Sequence, residues 1–234
     1  MTREDRPLEI GALIFEAVDQ FDVTGPFEVL SHLPDTVFRL YGKTTAPARD
    51  VRGLRLLPDA RLDDAPRFDV LVVPGGFGQE AVMEDEETLA WVKRQAGDAT
   101  HVLSVCTGAL ILGAAGLLKG RRATTHWAVR HLLPFFGAVG VEERVVVDGK
   151  VTSTAGVTAG LDGALRLAAA LRGEEAAKRI QLFMEYAPQP PFDCGTPKSA
   201  TPAVVEDLRR QTQAVTAQRE ATARRIATKL GIEA

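Results

Sequence analysis

Short runs of consecutive apolar residues alternate along this chain with stretches of helical periodicity, and that alternation restricts the fold more than any other feature. Ile10 to Phe15 is followed by a helical pattern from Gly25 to Leu33, and Val37 to Tyr41 comes next. Val70 to Val73 leads to a helix over Glu86 to Ala96, and Val102 to Val105 leads to one over Ala109 to Leu118. Strands that are apolar on successive residues belong at the centre of a parallel sheet covered on both faces. The pattern predicts an α/β chain built as a doubly wound, mostly parallel sheet with helices on both faces.

Further along, a helix is expected from His126 to about Phe136. A hairpin follows over Val145 to Thr154, turned at Asp148-Gly149, and then two helices, Gly160 to Leu171 and Glu174 to Tyr186. Prolines at 188, 190, 191, 197 and 202 then break the rhythm and favour an extended arm. From Ala203 to Lys229 the chain favours helix, with a broken apolar stripe of Val204, Leu208, Val215, Ile226 and Leu230. Residues 1–186 thus read as one α/β domain and 187–234 as an arm plus C-terminal helix. That helix is either a solvated appendage or part of a contact with a second subunit.

With 234 residues and a 45% hydrophobic fraction, the chain has enough apolar side chain for one large core. Its 28 Lys and Arg against 31 Asp and Glu are scattered up to the C-terminal region, which argues against nucleic acid as a partner. No apolar run approaches the roughly 20 residues needed to span a bilayer, so no membrane partner is expected. Two cysteines are too few for a disulfide framework, and the charged start through Pro7 is no signal peptide; a cytoplasmic location is the expectation.

One of those cysteines stands at a corner. Cys106 lies where Val102-Leu-Ser-Val105 gives way to Thr107-Gly-Ala109 and a helical stretch. Unpaired N–H groups at a helix start favour a thiolate, and a strand-nucleophile-helix turn lifts the side chain to the top of the sheet. The N–H of Thr107 can then steady charge on a reacting atom. A buried, inert cysteine opening a helix fits the same corner. Loops at the carboxyl ends of parallel strands gather on one edge, so the segments able to meet the thiol are Asp19 to Pro26, Pro74 to Gly78, Thr125 to Trp127 and Ala155 to Thr158.

Within those loops, Gly75 and Gly76 permit close backbone approach, and an N–H there can complete an oxyanion site; a simple turn is the alternative. Asp22 precedes an expected helix start at Thr24-Gly25-Pro26, and capping is its plain reading, although Thr24 is the better cap. If Asp22 instead lies against Cys106, two anions compete for one site and the carboxyl is held protonated. A cysteine hydrolase ordinarily needs a histidine beside its nucleophile, yet threonine follows Cys106. His126 can reach the same edge, though a histidine opening a helix is ordinarily structural. No spacing of His, Cys, Asp and Glu suggests a metal.

Pro74-Gly-Gly-Phe-Gly78, Ser104-Val-Cys-Thr-Gly108, and Gly113-Ala-Ala-Gly-Leu-Leu118 with Arg122-Ala-Thr-Thr-His-Trp127 resemble the ThiJ/PfpI superfamily over most of residues 8–186. The resemblance implies a flavodoxin-like fold. Peptidase-like members carry histidine directly after the nucleophile, so Thr107 argues against peptide cleavage. Phe21-Asp-Val-Thr-Gly-Pro26, Ala155-Gly-Val-Thr-Ala-Gly-Leu-Asp162, Gln181 to Phe192 and the helical tail make the bacterial isocyanide hydratases the nearest subgroup. That likeness implies Cys106 as nucleophile, Asp22 against it, Thr107 as a required neighbour, and a homodimer without metal or organic cofactor. Val157 departs from the isoleucine of those relatives. Losing one methylene is worth only about 1 kcal/mol of preference and widens a substrate pocket slightly.

The activity so implied is hydration of an organic isocyanide to an N-substituted formamide through a covalent thioimidate on Cys106, with Asp22 as acid and base. A ligand-sensing module is a rival, because AraC-type regulators carry similar Cys-Thr-Gly and Ala-Thr-Thr-His-Trp segments. Residues 203–234 are too few for the helix-turn-helix pair those regulators append. Another cysteine chemistry, glyoxalase-like or a thiol oxidised under stress, is the second rival.

Overall fold

A computed structural model describes residues 6–233. In chain order the strands are β1 (Leu8–Leu13), β2 (Thr36–Gly42), β3 (Ala48–Arg49), β4 (Arg55–Leu56), β5 (Ala60–Arg61), β6 (Val70–Val73), β7 (His101–Ser104), β8 (Arg122–Ala123), β9 (Val139–Gly140), β10 (Val145–Asp148) and β11 (Val151–Thr154). Seven of them form one sheet in the order β10-β11-β7-β6-β1-β2-β5. Every pairing in it is parallel except β10 with β11, which is the hairpin expected at Asp148-Gly149. Gly149 takes φ +58 there, a left-handed conformation that glycine adopts without strain.

Successive residues of the central strands enter two different cores, which is why their sequences are apolar without alternation. Leu71 and Val73 of β6 face one cluster and Val70 and Val72 face the other; β7 divides the same way at Val102 and Leu103. One face is covered by helices α1 (Phe21–Leu30), α5 (Ala159–Arg172) and α6 (Glu174–Phe183). The other is covered by α2 (Gln79–Glu84), α3 (Glu86–Asp98), α4 (Gly108–Ala114), a 3-10 helix over Trp127–Phe136, and part of α7 (Pro202–Leu230).

Helix α1 starts earlier than the sequence suggests. It begins at Phe21, Pro26 lies inside it, and Thr24 bonds the Gln20 side chain at 2.8 Å instead of capping. The helix over Trp127–Phe136 is 3-10 and stops at Gly137, in the left-handed region with φ +68. Helix α2 and the small pairs β3–β4 and β8–β9 are additions that periodicity does not announce, since two to six residues are too short to carry a period.

The arm between Tyr186 and Pro202 has no regular secondary structure. After it, α7 divides into two halves. Residues up to Gln218 are exposed or half-buried, whereas Arg219, Thr222, Ala223, Ile226 and Ala227 are buried against the chain's own fold. Arg225 pairs with Glu84 at 2.6 Å, and Thr222 donates to Glu80 at 2.7 Å, tying the helix to α2. The C-terminal half of α7 is therefore a packed element of the same chain and not a solvated appendage.

Candidate active site

The reversal of strand order beside β1 makes a crevice at the carboxyl ends of β1, β6, β7 and β11, where ligands bind in open α/β sheets. Backbone bonds stitch the loops there together. Asp19 N–H donates to the Gly75 carbonyl at 2.9 Å and Gly78 N–H to that of Ala17 at 3.0 Å, so the loops after β1 and β6 move as one.

Cys106 sits on the sharp turn between β7 and α4 with φ +55, a left-handed conformation rare for a side-chain-bearing residue. Its N–H donates to the Ala155 carbonyl at 3.0 Å, and its carbonyl accepts from the Thr125 hydroxyl at 2.7 Å. Neighbouring backbone and a buried threonine thus hold the turn. The Ala-Thr-Thr-His-Trp segment consequently serves the elbow through Thr125. Val157, on the facing loop, takes φ +41, which is unusual for a β-branched residue, and its N–H points at the Cys106 sulfur together with that of Thr107.

Asp22 is fully buried on the first turn of α1. Its Oδ2 accepts from the Gly75 N–H at 2.9 Å, and Oδ1 has no hydrogen-bond donor of its own. The Cys106 thiol is the side chain against this carboxyl. Capping is thus not what Asp22 does, since the loop geometry turns it inward. Burial, reinforced by Asp19, pushes its carboxyl well above the usual carboxylate range. Burial also pushes the Cys106 thiol up, the Asp22 charge adds to that, and the N–H groups of Val157 and Thr107 work the other way. The general bias of a helix start, expected from the sequence, is outweighed here: α4 is seven residues long and Cys106 is buried. Two specific N–H groups carry the stabilisation of an anion instead.

The glycines have a different task from the one their flexibility suggests. Gly75 N–H is engaged by Asp22, and Gly76 N–H donates to Thr107 Oγ1 at 3.0 Å, so neither is a free oxyanion donor. A β-carbon at Gly75 would collide with the hydroxyl and amide nitrogen of Thr107 and lie 3.0 Å from Asp22 Oδ2. Thr107 also donates from Oγ1 to the Gly76 carbonyl at 3.3 Å. Its hydroxyl therefore fixes the turn that holds Asp22, and its amide faces the sulfur.

A cavity of about 240 Å³ opens above Cys106, Thr107 and Val157, with Phe77, Trp127 and Leu208 among its apolar lining. That volume suits a small molecule. His126 borders it, but its Nδ1 accepts from Ala128 N–H at 3.3 Å as the cap of the 3-10 helix, and desolvation with the Arg219 charge pushes it down to about 4. It is a neutral capping group. Cys194 is exposed on the arm, remote in sequence from this cluster. Among the described residues no three of His, Cys, Asp and Glu group to hold a metal ion.

Sequence reasoning missed two participants. Arg219 lines the cavity from α7, and the backbone N–H of Val157, rather than its side chain alone, faces the Cys106 sulfur. A signal for Arg219 existed: it lies four residues after Val215 and seven before Ile226, a charge on the apolar stripe of α7.

Comparison with known proteins agrees with this geometry. The chain is 48% identical to an isonitrile hydratase of Pseudomonas putida over 96% of its own length and 99% of that protein. A crystal structure of a ThiJ/PfpI family protein from Pseudomonas syringae superposes with a TM-score of 0.91 at 38% identity, covering 93% of this chain and 90% of that one. An HTH-type transcriptional regulator of Pseudomonas aeruginosa is 32% identical over 57% of this chain, which spans 37% of the regulator's length. The likeness to the first two runs through the elbow, the acid-bearing helix and α7 alike. Residues 9–170 match the DJ-1/PfpI family, and the chain belongs to that family.

Proposed function

We propose that the protein hydrates organic isocyanides, R–N≡C, to N-substituted formamides, R–NH–CHO. The observation that carries this reading is a cysteine and a carboxyl buried together, with neutral His126 already engaged as a cap, in a chain 48% identical to an isonitrile hydratase. Cys106 and Asp22 share one proton, because two anions in one buried site repel each other. Cys106 as thiolate attacks the terminal isocyanide carbon, and Asp22 delivers its proton to that same carbon, giving R–N=CH–S–Cys106.

Water then adds to the thioimidate carbon as Asp22 takes its proton and passes it to nitrogen. The resulting R–NH–CH(OH)–S–Cys106 collapses: the C–S bond breaks, the sulfur leaves as thiolate, and the hydroxyl proton returns to Asp22. No histidine is needed, because the leaving group is the protein's own sulfur and the departing electron pair rests on it. Thr107 and Val157 N–H groups steady the sulfur, and Thr107 with Gly75 and Gly76 keeps Asp22 in place. Apolar Phe77, Trp127 and Leu208 suit the R group of an aryl or alkyl isocyanide.

The test is turnover of several aryl and alkyl isocyanides to formamide by the parent and by Cys106→Ala. Formation by the parent and loss in the variant are expected, with a mass increase on Cys106 after brief incubation. No formamide from any of them would sink the reading. The partial likeness to a transcriptional regulator favours a sensing role as the second reading, which predicts binding without turnover.

We further read the protein as a cytoplasmic homodimer, with residues 1–186 as its α/β domain and 187–234 contributing to the interface. The support is the extended arm and the exposed Leu182, Phe183 and Phe192 along it and just before it.

A further inference from the structure

Four side chains of α7 line the cavity above Cys106: Leu208, Thr212, Thr216 and Arg219, of which only Arg219 is charged. Arg219 is 6% exposed. One guanidinium nitrogen, Nη2, donates to the Gly76 carbonyl at 2.9 Å, the plane lies 5.7 Å from the Phe77 ring centroid, and Nε is buried with no partner. No carboxylate pairs with it among the described residues. The Glu80 charge reaches it without an ion pair, and that carboxylate is hydrogen-bonded instead by Gln218 at 2.8 Å and Thr222 at 2.7 Å.

A buried cation without a counter-ion is costly, and it persists where a neighbouring group becomes anionic. Around the cavity the candidates are few. Asp19 borders it, but its carboxyl is engaged by the N–H groups of Phe21 and Asp22, and His126 is neutral. Asp22 is occupied by Gly75 and by the shared proton. That leaves the Cys106 sulfur, which becomes charged in each cycle of the chemistry proposed above. The charge of Arg219 is felt among the groups lining this cavity, since it helps to depress His126, and the Cys106 charge in turn favours the guanidinium.

We propose that Arg219 is a positioning residue of the active site, the counter-charge of the Cys106 thiolate and, through the Gly76 carbonyl, a clamp on the turn whose N–H groups hold the Thr107 and Asp22 side chains. Helix α7 is on this account a wall of the catalytic cavity. The assignment deepens the isocyanide reading but rests on it only for the turnover readout.

The experiment uses the full chain in a Cys194→Ser background, because Cys194 is exposed and would compete for the reagent. Iodoacetamide alkylation of Cys106 is followed from pH 5 to 10, and phenyl isocyanide hydration alongside it. Arg219→Gln should raise the apparent thiol pKa by about one unit, a roughly tenfold smaller thiolate fraction near neutrality, and lower kcat more than it raises KM. Arg225→Gln, which removes the exposed pair to Glu84 but leaves Arg219, should keep the parent profile.

A folded Arg219→Gln protein with the parent alkylation profile overturns the proposal, and so does an equal shift in Arg225→Gln, which would trace the effect to helix docking. If the glutamine variant does not fold, Arg219→Lys decides. A flexible ammonium cannot hold the carbonyl and the thiolate in one geometry, so a shifted profile or a clear loss of kcat supports the assignment and parent behaviour in both removes it. Absence of any isocyanide turnover would end the functional reading while the alkylation profile still judged Arg219.

Discussion

Cys106 and Asp22 form a coupled pair whose protons belong to both, and the ionic state of each is set by what surrounds the other. Burial raises both groups and the Asp22 charge raises the thiol further, so a second negative charge on the pair is disfavoured. His126 lies nearby with the opposite tendency. A histidine held neutral by the fold contributes stability that is fully present above its unfolded pKa of about 6.5, and that stability is lost as pH falls toward the folded value of about 4. Urea melts at pH 7, 5.5 and 4 should show His126→Gln losing less stability on acidification than the parent, by on the order of 2 kcal/mol. Equal pH slopes would refute that. At this scale the sequence was legible where a local rule acts, as for the strand-to-helix corner that carries Cys106. It was illegible where a residue reaches across the fold. Asp22 looks like a cap because its partner, Gly75, is distant in sequence, and Arg219 looks like part of a solvated face for the same reason.

Among the elements, the Pro74–Gly78 turn does much to assemble the site, because the Gly75 N–H holds the Asp22 carboxyl and the Gly76 N–H and carbonyl hold the Thr107 hydroxyl. Gly75→Ala places a methyl group on Thr107, and the resulting displacement should cost about 1–3 kcal/mol of stability. Isocyanide turnover should fall further than that stability loss explains, since the acid and the Thr107 amide are moved together. A thermal melt and a turnover assay on the same preparation check both halves. Strands β6 and β7 were readable from four-residue apolar runs because a doubly covered strand has no polar face to hide. The start of α1 was misread because Thr24 and Pro26 imitate a helix opening, while the chain actually enters the helix where Asp19 accepts the Phe21 N–H at 3.1 Å. Helix α2, six residues long, gives no periodic signal at all.

The whole molecule places one core on each face of the sheet and its reactive groups along one edge. Helix α7 lies across that edge as the latest element in the chain. Its exposed first half and the arm before it are where a second subunit is proposed to bind. Sedimentation of the full chain should therefore report twice the 25.2 kDa chain mass. A full-length monomer would rule the dimer out. The broken stripe of α7 was visible in the sequence, but which surface it seeks was not, because an amphipathic helix carries no address for its partner.

The position of Arg219 late in the chain also bears on how the protein is made. A ribosome delivers the nucleophile, its acid and the glycine turn on the order of ten seconds before it delivers the guanidinium. Until α7 docks, the sulfur lacks its proposed counter-charge and the cavity lacks the wall that Leu208, Thr212, Thr216 and Arg219 supply. Completion of the last helix then serves as the step that finishes the site.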